Sequence, residues 1–170
     1  MMARSALARF GMSSLRTGAL ALLVAAVPST AAADATVFLG VTPTPSNRLT
    51  KGLAVGVSVL VVGVEFEYSD AIEDLEADAP SLRTGMGNVL VQTPIAVSGV
   101  QFYGTAGAGL YRERLGTQQE TNFGVNIGGG VKISLLGPLR LRVDYRLFTL
   151  RGSPLHSKPQ RIYAGLNLAF

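Results

Sequence analysis

The sequence predicts an all-β fold: a closed antiparallel up-and-down transmembrane β-barrel of about eight strands, behind a cleavable leader. Three observations carry this expectation. From Ala35 onward, apolar residues recur mostly at every second position, the period of a strand. The connections after odd-numbered runs are long and polar, whereas those after even-numbered runs are mostly short. The polar face of the alternation mixes glycine with a few long charged side chains, which suits a lumen only just wide enough for side chains.

The chain has 170 residues, room for one ordinary domain. Charged residues make up 15%, against about 25% in a typical soluble domain. Cysteine is absent, which removes disulfides, thiolate metal sites and a lipid-bearing cysteine from consideration. The formal charge of +4 is concentrated at the start: Arg4, Arg9 and Arg16 precede the first acid. Without them, twelve basic residues face eleven acidic ones, a balance that gives no reason to expect nucleic acid.

Residues 1–33 read as an export signal. Met1 to Arg16 is basic, Gly18 to Val27 is a short apolar run closed by Pro28, and Ser29-Thr30-Ala31-Ala32-Ala33 carries small residues in the A-x-A arrangement before Asp34. The apolar run is about half of the roughly 20 residues that a helical crossing needs. Cleavage is expected after Ala33, leaving 34–170 as the barrel domain.

The strands are expected at 35–42, 52–59, 61–69, 82–92, 99–112, 121–134, 139–150 and 160–170. Leu139, Leu141, Val143, Tyr145 and Leu147 alternate with Arg140, Arg142, Asp144 and Arg146. Val62, Val64, Phe66 and Tyr68 alternate with Gly63, Glu65, Glu67 and Ser69. Between the second and third runs the parity shifts by one, which implies a tight turn near Leu60-Val61; neither residue favours turns, so one long bent strand is the alternative. Parity also blurs around Asn88, the sign of a possible bulge. The long connections are Pro43–Lys51, Asp70–Ser81, Glu113–Glu120 and Gly152–Pro159, the second with room for a helical turn at Ala71–Ala77.

Alternation alone does not say which face is outside. Few lysines and many glycines on the polar face favour a filled lumen over a solvated exterior. The runs also approach or exceed the roughly 9–11 residues of a tilted membrane-spanning strand. The last run places Ile162, Ala164, Leu166, Leu168 and Phe170 on one face and ends on that aromatic residue. It resembles the C-terminal recognition strand of bacterial outer-membrane barrels. Together with the leader, the chain resembles the small eight-stranded outer-membrane families, the OmpA transmembrane domain and the opacity-type proteins. The resemblance implies Gram-negative outer-membrane location, passage through the export translocon, and reading of the last strand by the barrel assembly machinery. It also implies contact with outer-membrane lipids including lipopolysaccharide, with the long loops outside the cell. It names no activity.

On this reading Thr36–Thr42 pairs with Ile162–Phe170 to close the barrel, and Tyr68, Tyr145 and Phe170 face the membrane interfaces. Glu65, Glu67, Lys132, Arg140, Arg142, Asp144, Arg146 and Arg161 point into the lumen, where opposite charges must pair. A packed polar plug and a narrow pore are the two readings of that set.

No residues stand out as catalytic, cofactor-binding or metal-binding. His156, the single histidine, lies beside Ser157 in the last loop. The pair suggests, as an alternative, an enzyme modifying lipid A or phospholipid; adjacency is its only support, since a triad also needs an orienting acid. A soluble periplasmic ligand-binding barrel is the other alternative. Asp70, Glu73, Asp74, Glu76 and Asp78 lack calcium-loop spacing and read as a solvated loop. Arg112 and Arg114, at a strand end, read either as contacts to lipid phosphates or as ordinary rim charges.

Overall fold

A computed structural model describes residues 31–170. The basic and apolar parts of the expected leader lie outside the described residues. Among those described, the chain forms eight strands: β1 (Ala31–Thr42), β2 (Arg48–Val59), β3 (Val62–Ala71), β4 (Ser81–Gln92), β5 (Val100–Leu115), β6 (Gln118–Leu136), β7 (Leu139–Leu150) and β8 (Gln160–Ala169). Each pairs antiparallel with its sequence neighbour, and β1 pairs with β8 from Asp34↔Ala169 to Val41↔Ile162, closing the barrel. Closure gives every strand two hydrogen-bonded neighbours, so no open edge remains. β1 begins at Ala31, before the expected cleavage point at Ala33.

The turn at Leu60-Val61 is present, with Val59 opposite Val62 and Leu60 in the left-handed region at φ 55°. The parity shift in the sequence is therefore a genuine two-residue reversal. Four local expectations need correction. Asn88 marks no bulge: β4 keeps continuous register with both neighbours. The sequence looks blurred there because β4 points Leu82, Met86 and Leu90 inward and Gly85 and Gly87 outward. The irregularity lies instead between β6 and β7, near Ser134 and Leu136.

Residues Glu113–Glu120 are not a loop. β5 and β6 run through them and reverse at Gly116-Thr117, with Glu113 opposite Glu120. Polar residues on both faces disguised two strands that rise above the apolar band. The Asp70–Ser81 connection holds a small bridge, Asp74↔Ala79, in place of a helical turn. Likewise β2 starts at Arg48, so Lys51 belongs to a strand.

Short turns and both ends of the barrel chain (β1 start, β8 end) share one end of the barrel, termed the termini end. The connections at 43–47, 72–80 and 151–159 and the β5–β6 hairpin share the other, the loop end.

Candidate functional site: a charged lumen inside an apolar wall

The outer wall is apolar. Val37, Leu39, Phe66, Ile127, Leu147 and Leu166 all face outward and are exposed. Tyr68, Tyr145 and Phe170 lie on the same surface. Soluble monomers rarely expose contiguous apolar patches beyond a few hundred Å²; here the apolar surface extends around the barrel.

The interior reverses this pattern. β3 supplies Glu65 and Glu67, β7 supplies Arg142, Asp144 and Arg146, and β8 supplies Arg161, all essentially without solvent exposure. Period two puts each set on one face of its strand, and closure brings the three strands together. Arg142 donates to both oxygens of Glu65, with Nη2–Oε1 at 3.3 Å, and reaches Asp144 Oδ2 at 3.3 Å. Arg146 donates to Glu65 Oε1 at 2.9 Å and to Asp144 Oδ1 at 3.0 Å, and lies 3.1 Å from Glu67 Oε2. Arg161 bonds Glu67 and also donates to Ser69 Oγ at 2.6 Å. Three guanidinium groups thus meet three carboxylates in a neutral cluster.

Tyr103 bridges the cluster from β5, donating to Asp144 Oδ2 at 2.5 Å while accepting from Arg142 Nε at 2.7 Å. Its approach depends on Gly130, where an added Cβ would sit 2.6 Å from the Tyr103 hydroxyl oxygen. Asn167 of β8 donates to Thr36 of β1 at 2.9 Å, so the network crosses the closing seam.

Two further layers bracket the cluster. Lys132 pairs with Asp34. An apolar layer is formed by Ala71, Leu82, Met86, Tyr111, Phe148 and Leu150. Alternation did not signal this layer, because it places apolar residues on the polar parity. Arg140, also expected inside, is half-buried and donates to Gln101 at 3.4 Å. Near the loop end the lining leaves a cavity of only about 10 Å³, beside Arg161 and Phe148.

The C-terminal set divides from the lumen as its parity requires. Ile162, Leu166 and Leu168 face outward with exposed Phe170 beyond them, and Ala164 shares their face. In the last loop, Ser157 is exposed, and His156 Nδ1 is buried without a hydrogen-bond partner. The acidic loop residues diverge: Asp70 pairs with Arg83, Glu73 with Arg114, and Asp74 accepts from Ser46. Among the described residues, no group of three acids or histidines converges on a metal position.

An apolar exterior around a paired, charged interior defines a transmembrane β-barrel of the outer-membrane architecture, since only a closed sheet satisfies its backbone within hydrocarbon. Solved structures share the fold at low sequence identity. The N-terminal barrel domain of Pseudomonas aeruginosa OprF matches with TM-score 0.63 and 13% identity, covering 82% of this chain and 97% of that one. Neisserial surface protein A matches with TM-score 0.63 and 16% identity, covering 82% and 96%. The outer membrane enzyme PagL matches with TM-score 0.52 and 14% identity, covering 79% and 98%. No family model matches the chain, and no curated protein matches it in sequence.

Proposed function

We propose that the protein is an exported, non-catalytic structural barrel of the outer membrane. Its loop end is displayed outside the cell, and its wall rests against outer-membrane lipids including lipopolysaccharide. The observation that carries the reading is the inverted charge distribution: neutralised ion pairs within and an apolar surface without. Residues 1–33 act as the export signal. Ile162, Ala164, Leu166, Leu168 and Phe170 form the strand read by the assembly machinery; their lipid-side placement leaves them accessible before closure.

The lumen residues Glu65, Glu67, Lys132, Arg140, Arg142, Asp144, Arg146 and Arg161 serve as a plug. The buried guanidinium groups of Arg142, Arg146 and Arg161 are each held by a carboxylate from another strand, and the eight-strand circumference leaves little room beside them. In planar bilayers the expected result is no sustained conductance; a steady open channel would replace the plug with a pore.

Absence of catalysis is supported by the partnerless Nδ1 of His156, which no acid orients. Envelope fractionation tests location. The folded barrel should require detergent for extraction and migrate differently on gels before and after boiling. Release by osmotic shock would favour a soluble periplasmic barrel instead. Altered lipid A acylation on overexpression, abolished by His156→Ala with Ser157→Ala, would establish the enzymatic alternative.

A further inference from the structure

On the outer face at the loop end, β4 and β5 place two arginines directly opposite each other, Arg83 and Arg112. Directly opposed side chains have Cβ atoms about 4.5–5.5 Å apart, and like charges in that arrangement destabilise a sheet. Arg114 lies two residues further along the same face. Two carboxylates answer these three cations: Asp70 Oδ2 is 3.3 Å from Arg83 Nε, and Glu73 Oε2 is 3.7 Å from Arg114 Nη2. Arg112 has no carboxylate within salt-bridge distance and donates to Thr121 Oγ1 at 3.2 Å. The three guanidinium groups and both acids border a cleft of about 400 Å³.

Below this cleft several outward side chains of β4 and β5 are small. Stepping down the β4–β5 pair, the outward residues are Gly85 with Leu110, Gly87 with Ala108, and Val89 with Ala106. An added Cβ at Gly85 would meet nothing within 4 Å, so its outer side is open. Phe66 and Tyr68 of β3 flank the small residues on one side, and Phe123 and Val125 of β6 on the other. Three strand spacings separate those flanks, about 14 Å in all. Gly85, Gly87, Ala108 and Ala106 therefore leave a shallow apolar depression below the cationic cleft, with Leu110 at its upper edge.

We propose that this depression and cleft form a binding site for one phosphorylated lipid A molecule of the outer leaflet, with acyl chains along Gly85, Gly87 and Ala108 and a phosphate between Arg83 and Arg112. The assignment rests on the outer-membrane reading above and adds the site. A phosphate dianion converts the opposed arginines from a repulsive pair into a two-sided clamp, since guanidinium groups bind phosphate through paired N–H donors. The lipid source follows from position. The cleft opens sideways, one residue pair above the apolar band, so an anion tethered to acyl chains reaches it at the height where its phosphate lies.

The test uses the barrel purified from membranes in zwitterionic detergent, with binding read by native mass spectrometry and calorimetry. The probes are lipid A bearing its phosphates, dephosphorylated lipid A, and inorganic phosphate. A basic residue near an anionic lipid surface contributes about 1 kcal/mol, roughly a five-fold change, so Arg83→Ala with Arg112→Ala should weaken phosphorylated lipid A about 25-fold. Wild-type protein should show a loss of similar size with dephosphorylated lipid A, an arm that does not depend on a variant folding. Arg83→Lys with Arg112→Lys keeps the charge but loses the paired donors, and should fall between wild type and the alanine pair. Arg151→Ala with Lys158→Ala, exposed charges in another loop, should leave it unchanged. Gly87→Leu should weaken lipid A by filling the depression.

Equal binding of lipid A with and without phosphate, no loss in the double alanine variant, or no binding by wild type would overturn the site. Inorganic phosphate binding as tightly as lipid A would overturn the lipid assignment. If heat-modifiable mobility persists through any of these results, the site fails and the barrel reading survives. If wild type lacks that mobility, the barrel reading itself fails.

Discussion

Glu65 offers a direct test of whether the lumen cluster holds the barrel together. It accepts hydrogen bonds from Arg142 and Arg146, and its side chain is 1% exposed. Glu65→Gln keeps the shape and removes one negative charge, leaving three guanidinium groups facing two carboxylates. Removing one partner of a buried ion pair typically costs about 3–5 kcal/mol, because the remaining charge has neither water nor counter-ion. The amide oxygen still accepts one hydrogen bond, which argues for the lower end, about 3 kcal/mol, or roughly a hundred-fold in the folding equilibrium. In urea titrations of barrel folded into lipid vesicles, read by gel mobility without boiling, this corresponds to a midpoint lower by roughly 1–3 M. Glu76→Gln, in the exposed part of the 72–80 loop, should stay within about 0.5 kcal/mol of wild type. Glu65→Gln with Arg142→Gln restores neutrality and should cost less than the sum of the single changes, by about 0.5–3 kcal/mol. The reasoning is refuted if Glu65→Gln costs less than about 1 kcal/mol, or if the two substitutions simply add.

Three other perturbations probe the wall, a turn and the loop end. Gly109→Ala places Cβ 2.0 Å from the Gly85 carbonyl oxygen, a backbone clash that should cost about 1–3 kcal/mol, whereas outward Gly85→Ala should fall within about 0.5 kcal/mol of wild type; equal midpoints for the two would contradict the inside-out assignment. Leu60→Asn should raise stability by about 0.5–1 kcal/mol, since Asn tolerates the left-handed conformation far better than Leu; a lower urea midpoint would argue against the turn geometry. Glu113 sits on β5 between outward Arg112 and Arg114, above the apolar band, and its carboxyl is pushed up chiefly by burial, with the nearby Glu120 carboxyl adding to the effect and the Leu155 N–H and Arg48 opposing it. A raised folded-state value favours the neutral acid, so its stability contribution is full below the unfolded value near 4.3 and fades as pH rises through the folded value. Glu113→Gln should therefore flatten that decline in urea midpoints measured from pH 4 to pH 8, whereas an unchanged slope would assign the pH dependence elsewhere.

The parts of this molecule legible in its sequence are those governed by a period of two. Ile162 to Phe170 and Leu139 to Leu147 alternate cleanly because every outward position meets the same apolar surroundings. Legibility fails where the surroundings change along a strand. Glu113 and Arg114 keep strand geometry above the apolar band, where both faces are polar, so the pattern reads as a loop. Leu82 and Met86 point inward to the apolar layer, and Leu90 points inward nearer the termini end, so β4 reads as irregular although its register is continuous. Charges on the lumen face could be read singly, but their partners could not. Which carboxylate meets which arginine depends on the stagger of β3 against β7 and β8, strands joined only through closure. Arg83 shows the same limit: nothing in its neighbourhood of sequence links it to Arg112, and the β4–β5 register alone makes them opposites.

That dependence on closure gives the lumen network a second consequence. Before β1 meets β8, Glu65 and Glu67 on β3 lie far across an open sheet from the arginines on β7 and β8, where Asp144 is the one local carboxylate for Arg142, Arg146 and Arg161. Both glutamates and two of the three arginine charges would then face lipid or water unbalanced, and an unpaired charge in hydrocarbon is costly. The charges are satisfied only in the closed form, so they favour closure over any partly inserted sheet that leaves them apart. The seam contacts Asn167 to Thr36 and Arg142 to Thr36 complete the network at the point where the first and last strands join. An apolar lumen of equal volume would hold the barrel together as well once formed, but it would leave open and misregistered sheets nearly as stable in lipid. The buried charges thus select one closed register among the many that the apolar exterior alone would accept.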